Sequence, residues 1–193
     1  MTESEIVIDL VRRLARGVRA TIAGLSQEVL DWQPDPEANS IGVTVWHFSR
    51  WIDFINVRAL EGRPAADELW FTSGWAAETG YDPRGLGYGG LGALTGYTMS
   101  EVRAVPALSA DALLRYLDRA CDALIASLEA LPPDALHRTA PGLRDLDARQ
   151  RTAYQWIIAP LLGCFGHLGE IEALKALQAR AGRHGAIGAG AVA

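Results

Sequence analysis

The chain has 193 residues, with 18 Lys and Arg against 23 Asp and Glu for a formal net charge of -5. That length fits one domain with one core, and without a basic excess the chain lacks the electrostatic hold on phosphates that nucleic-acid binding modules show. Cys121 and Cys164 stand in no paired spacing and read as small core residues of a reducing compartment; the acidic start and the broken apolar runs predict a cytoplasmic protein with neither signal peptide nor membrane span.

The first helix is predicted over residues 3–24, where Thr2 and Glu5 form a capping-box pattern and Ile6, Leu10, Leu14, Val18 and Ile22 recur at helical intervals. Arg12, Arg13, Arg16 and Arg19 mark its solvated face. A connector with Trp32, Pro34 and Pro36 leads to a second helix over 41–61, capped by Asn39 or Ser40 and closed by Gly62 with Pro64 beyond.

Residues 63–108 form a long crossover in which glycines cluster over 85–92 among Trp70, Phe71, Trp75, Tyr81, Tyr88 and Tyr97. A connection of this length is a lid or a partner-binding segment when it is ordered. The glycines lack the preceding strand and following helix that a dinucleotide fingerprint needs. Large aromatics are enriched at interfaces, so the segment is expected either to make a homodimer surface or to cover the domain's own core.

A third helix is predicted over 110–131, with Ser109 as N-cap and a leucine stripe from Leu113 to Leu131. A fourth, capped by Asp147, should reach Ala181 and be kinked or divided at Pro160. The expected organisation is one helical domain over 1–181 and a flexible, glycine-rich tail over 182–193. With no strand pattern, this is an all-α four-helix bundle with a long crossover between helices 2 and 3.

Two histidines carry the chemistry. His47 lies in the run from Ile41 to Phe54 with Val43, Trp51 and Phe54 on its side, and His167 shares a stripe with Trp156, Pro160 and Gly163. A single inward imidazole is most often a core residue bonded to a carbonyl or carboxylate. Two on separate helices also admit a shared centre, since facing helices of a bundle project ligands into one core. Asp53, about 240 degrees around the helix from His47, falls off that face and is expected to pair with an arginine or meet solvent. Cys164 lies near the His167 face, while His137 and His184 read as solvent residues.

The segments Ile41-Gly-Val-Thr-Val-Trp-His47-Phe-Ser-Arg-Trp and Gly166-His167-Leu-Gly-Glu170-Ile-Glu-Ala-Leu resemble the DinB-like family of four-helix bundles. That family includes DNA-damage-inducible proteins and the mycothiol-dependent maleylpyruvate isomerase group. The resemblance implies a divalent metal, zinc or nickel, held by one histidine of the second helix and two residues four apart on the last. His47 and His167 match the first and last of these, and the remaining position falls on Gly163, which has no side chain. Glu170, three residues after His167, is close enough on a helix to complete a His47, His167, Glu170 site. Otherwise two histidines bind metal weakly with water, or the metal has been lost. The corresponding functions are a metal-dependent enzyme of thiol-dependent transferase, isomerase or hydrolase type, with a small-molecule or low-molecular-weight thiol ligand, or a non-catalytic dimeric binding or scaffold protein.

Overall fold

The computed structural model describes residues 2–132, 134–143 and 150–189, with 142 and 182–189 as backbone alone. Its helices are α1 (Glu3–Ile22), α2 (Gln27–Asp31), α3 (Ile41–Phe54), α4 (Leu69–Thr72), α5 (Trp75–Thr79), α6 (Met99–Arg103), α7 (Ala110–Ala130) and α8 (Ala153–Ala189). The fold is all-α, and among the described residues no strand occurs beyond an isolated bridge between Thr139 and Thr152.

Caps begin the long helices. Thr2 accepts from the Glu5 N–H while Glu5 accepts from the Thr2 N–H, closing the expected box on α1. Ser40, rather than Asn39, caps α3 through the Val43 N–H, and Ser109 caps α7 through the Ala112 N–H. The last helix starts later than expected, at Ala153, where Thr152 and Gln155 bond reciprocally as a further capping box. Asp147, the expected cap, lies outside the described residues. The helix then passes through Pro160 undivided, although that residue offers no N–H to the carbonyl four residues earlier. Its backbone continues to Ala189, past the expected end at 181, and 190–193 lie outside the described residues.

The second long helix changes pitch. After Phe54 the backbone widens into a π-helix over Ile55–Leu60, and Gly62, at φ 68°, turns the chain away in the left-handed region that glycine occupies without strain. α1 and α3 each pack against both α7 and α8, so the core lies between them, filled by Val11, Leu14 and Val18 of α1, Val45 and Phe48 of α3, Leu117 and Leu124 of α7, and Ile157 and Leu161 of α8. The inward face of α8 is buried, whereas Leu162 and Leu177 are exposed. No charged residue stands between Arg151 and Glu170, and the Ala153–Ala181 stretch is long and apolar enough to cross a membrane by composition alone, an 18-residue window within it having mean hydropathy 1.4.

The crossover is ordered by its own aromatics. Trp70 is fully buried and packs edge-on to Trp46, and Trp75 packs against Tyr116 of α7. Of the rings that suggested a dimer surface, Tyr88 alone is highly exposed, so the aromatic surplus chiefly covers the chain's own core.

A buried charge cluster fastens this segment. Arg50, 1% exposed, donates to Asp53, to Glu68, to the Tyr116 hydroxyl and to the Gly92 carbonyl. Asp53 in turn accepts from the backbone N–H groups of Leu69 and Trp70, at 2.8 and 2.9 Å, and from the Tyr116 hydroxyl at 2.8 Å. One carboxylate thus caps the start of α4 and ties it to α3 and α7. Burial pushes the Glu68 carboxyl above the usual carboxylate range, against the pull of Arg50. Removing one partner from such a cluster strands a buried charge, which typically costs about 3–5 kcal/mol. Asp53→Ala is therefore expected to lower the unfolding free energy by about that amount in urea titrations, and a loss under about 1 kcal/mol would show that the cluster does not hold the crossover.

Candidate functional site

The two histidines meet. The imidazoles of His47 on α3 and His167 on α8 lie with ring centroids 5.2 Å apart and planes at 78°. Phe48 lies parallel to the His167 ring on another side. His47 and His167, together with Trp51, Pro160, Gly163 and Cys164, line a cavity of about 140 Å³ between the two helices.

Each ring is held by its Nδ1. His47 donates from Nδ1 to the Ala93 carbonyl at 2.6 Å, and His167 donates from Nδ1 to Glu170 Oε2 at 2.6 Å. An N–H committed at Nδ1 leaves the lone pair of the neutral ring on Nε2, and neither Nε2 has a protein hydrogen-bond partner among the described residues. Burial pushes the His47 imidazole down to about 4, against the Ala93 hydrogen bond, which works the other way; the ring is neutral at pH 7. A metal-ligating histidine has the same pattern, with one nitrogen bare and the other anchored on a carbonyl or carboxylate.

The crossover backbone beside His47 is gripped from α3 at three points. Arg50 reaches the Gly92 carbonyl, His47 the Ala93 carbonyl, and Trp51 Nε1 donates to Thr95 Oγ1 at 3.3 Å. Between them Leu94 is buried at φ 70°, a conformation that costs a non-glycine residue of order 1 kcal/mol or more and persists only where its surroundings impose it. At Gly92, φ 69°, a Cβ would lie 2.7 Å from the Pro83 carbonyl oxygen, so only glycine allows the crossover to fold this closely on itself.

The predicted site residues separate into two roles. His47 and His167 share the cavity, but the Glu170 side chain, 61% exposed, sits on the far nitrogen of His167, where it orients that ring. Among the described residues, no group of three or more His, Cys, Asp or Glu side chains is arranged to hold a metal ion. Cys164 lines the cavity, and burial raises its thiol to about 12, which keeps it protonated. Asp53 pairs with Arg50, as expected from its angle on the helix. His137 is exposed and lies 2.7 Å from Glu3; the His184 side chain lies outside the described residues. The grip on residues 92–95 carried no signal in the sequence, because carbonyl acceptors look alike at every position.

In kind, the donors fit a divalent metal of the zinc and nickel class, for which neutral imidazole nitrogens are suited ligands. In number they fall one short of the three protein ligands usual in open zinc sites. A Cβ placed on Gly163 would meet nothing within 4 Å, so space rather than a side chain stands at the third position.

Comparisons with known proteins agree with this architecture. A family model described as the DinB superfamily matches residues 10–171. The crystal structure of a conserved protein from Enterococcus faecalis superposes with a TM-score of 0.75 at 16% identity, covering 92% of this chain and 97% of that one, a likeness of fold. No curated protein matches the chain.

The low His47 value sets a pH dependence. In the unfolded chain this ring takes up a proton near its ordinary value of 6.5, whereas the folded chain refuses it until about 4, so stability is lost as the pH falls through that window. For chelator-treated protein, urea unfolding is expected to show His47 contributing about 2–3 kcal/mol of the stability lost between pH 7 and 4.5, a contribution that His47→Gln abolishes. Equal pH slopes for the two proteins would contradict the neutral, buried imidazole.

Proposed function

The chain belongs to the DinB superfamily, and we propose that it is a metal-dependent member in which His47 and His167 bind one divalent cation, zinc or nickel, at a site reduced to two protein donors. The observation that carries this reading is the matched pair of anchored rings: both Nδ1 atoms are committed to acceptors, and both rings line one cavity.

Each residue's part follows from its contacts. The Ala93 carbonyl selects the His47 tautomer and holds its ring in the cavity, and the grip on Gly92 and Thr95 holds that carbonyl in turn. Glu170 fixes the His167 tautomer and, as a carboxylate, makes that ring more basic. Trp51 and Pro160 give the cavity apolar walls that restrict water. A cation bound there would supply Lewis-acid polarisation of a small ligand, of which a low-molecular-weight thiol is one candidate. Glu170, which does not line the cavity, holds the proton on Nδ1 of His167 and leaves Nε2 free to ligate.

The bare position at Gly163 favours a competing reading, a binding or scaffold bundle that has lost the metal. One experiment separates the two. Chelator-treated protein titrated with zinc against a competing indicator is expected to bind one equivalent, His47→Ala and His167→Ala to lose it, and Glu170→Gln to bind about 10–100-fold more weakly. Absence of stoichiometric binding, or binding unchanged in His47→Ala, would sink the metal reading and leave the scaffold.

A further inference from the structure

We infer that two copies of this chain associate through the outward face of α8, antiparallel, about a two-fold axis between His167 and Leu168. The inference stands whether or not a cation binds between the histidines.

That face is apolar and uncovered. Only 22% of the most apolar 18-residue window of the Ala153–Ala181 stretch is buried, and Leu162 and Leu177 are 59% and 44% exposed. Packing against α1 and α3 uses the other side of the helix, where Ile157, Leu161, Cys164 and Ile171 are buried. A contiguous exposed apolar patch marks an interaction site.

The pattern of the face selects its occupant. Gln155, Ala159, Leu162 and Gly166, then Gly169, Ala173, Ala176 and Arg180, are all exposed and follow one another at spacings of four and three residues in strict alternation. This is the seam of a coiled coil, whose mean spacing of 3.5 keeps one stripe against one partner helix. The spacings read the same in both directions. A second copy laid antiparallel therefore brings Leu162 opposite Ala173 of the partner, Gly166 opposite Gly169, and Ala159 opposite Ala176, with Gln155 and Arg180 facing each other at the ends. Large side chains meet small ones, and the glycines at the axis let the two backbones approach closely. Every contact occurs twice, as an isologous interface requires.

The helix also supplies a socket for the largest knob. Glu170, Ala173, Leu174 and Leu177 stand at the i, i+3, i+4 and i+7 positions that form a knob's hole, and they line one side of a groove of about 330 Å³. Leu162 of the partner enters there. Charge does not oppose the pairing: no charged residue lies between Arg151 and Glu170, and Glu170 falls opposite Phe165 of the partner, not opposite its own copy.

A bilayer is the competing occupant of an apolar helix face, and the flanks do not suit it. Helices that lie in a membrane surface are rich in lysine and arginine beside the apolar stripe, whereas residues 152–174 contain neither. Glu172 and Lys175 are instead tied to Thr21 of α1, at 2.7 and 2.8 Å, which holds α8 in its bundle. From Gln155 to Arg180 the seam spans about 38 Å and, at a helix width of about 10–12 Å, covers about 400 Å² on each copy. That is the small end of specific interfaces, so the dimer is reversible and no tighter than about micromolar.

Sedimentation equilibrium and cysteine pairing test this. Between about 1 and 300 μM, the apparent mass of the wild type is expected to rise from 20.8 kDa toward twice that value. Leu162→Glu, at an exposed position outside the core, should weaken association at least about tenfold with circular dichroism unchanged. Leu162→Cys and Ala173→Cys proteins, mixed and mildly oxidised, should form a linked heterodimer that neither forms alone. A disulfide needs Cα atoms within about 7 Å, whereas like positions lie about 16 Å apart along the antiparallel pair. The native Cys121 and Cys164 are buried and do not compete. A mass that stays at one chain throughout, a Leu162→Glu protein that associates like wild type, or Leu162→Cys linking to itself would overturn the inference. So would a monomer that floats with neutral phosphatidylcholine vesicles, which would give the face to a membrane.

Discussion

A guanidinium with almost no contact with water, Arg50, sets the conditions for everything around it. Its charge is tolerable inside the bundle only because Asp53, Glu68, the Tyr116 hydroxyl and the Gly92 carbonyl surround it. These partners come from α3, from two separate points of the crossover and from α7, so satisfying one charge fixes how the crossover lies across the helices. The Ala93 carbonyl follows from that placement, and with it the tautomer of His47. A cluster that does not touch His47 thereby determines which of its nitrogens is committed to a hydrogen bond.

The same arrangement explains why a segment rich in glycine has a single conformation. Glycines over 85–96 supply left-handed turns, and buried aromatics and the charge cluster supply the energy that selects among them. Leu94 marks the point of greatest constraint, held in a left-handed conformation next to the carbonyl that orients His47. The crossover backbone that these contacts hold is the same backbone that holds the His47 ring.

Much of this could be read from the residues, and the exceptions have physical reasons. Capping boxes and 3.6-residue periodicity mark α1 and α7 because those signals are local. The start of α8 was harder, since Asp147 and Thr152 both suit an N-cap and only the pairing with Gln155 distinguishes them. The meeting of His47 and His167 was legible because both lie on apolar stripes of a recognisable bundle. Glu170 was placed beside His167, yet a spacing of three residues cannot say which of the two ring nitrogens its carboxylate reaches. Glu68 and the Gly92–Thr95 backbone were silent, one lying in a crossover without periodicity and the other acting through carbonyls. A stronger hint was present in α3 itself, where Arg50 and Asp53 interrupt an otherwise apolar run and imply a paired, buried charge.

The account turns on two bare Nε2 atoms serving a single centre. Crystals soaked in zinc, with diffraction recorded on either side of the zinc absorption edge, test this most directly. The account predicts one anomalous peak within about 2.1 Å of Nε2 on both His47 and His167, with Ala93 and Glu170 still on the opposite nitrogens. Zinc found only at surface carboxylates, with the cavity between the rings free of anomalous signal, would contradict it.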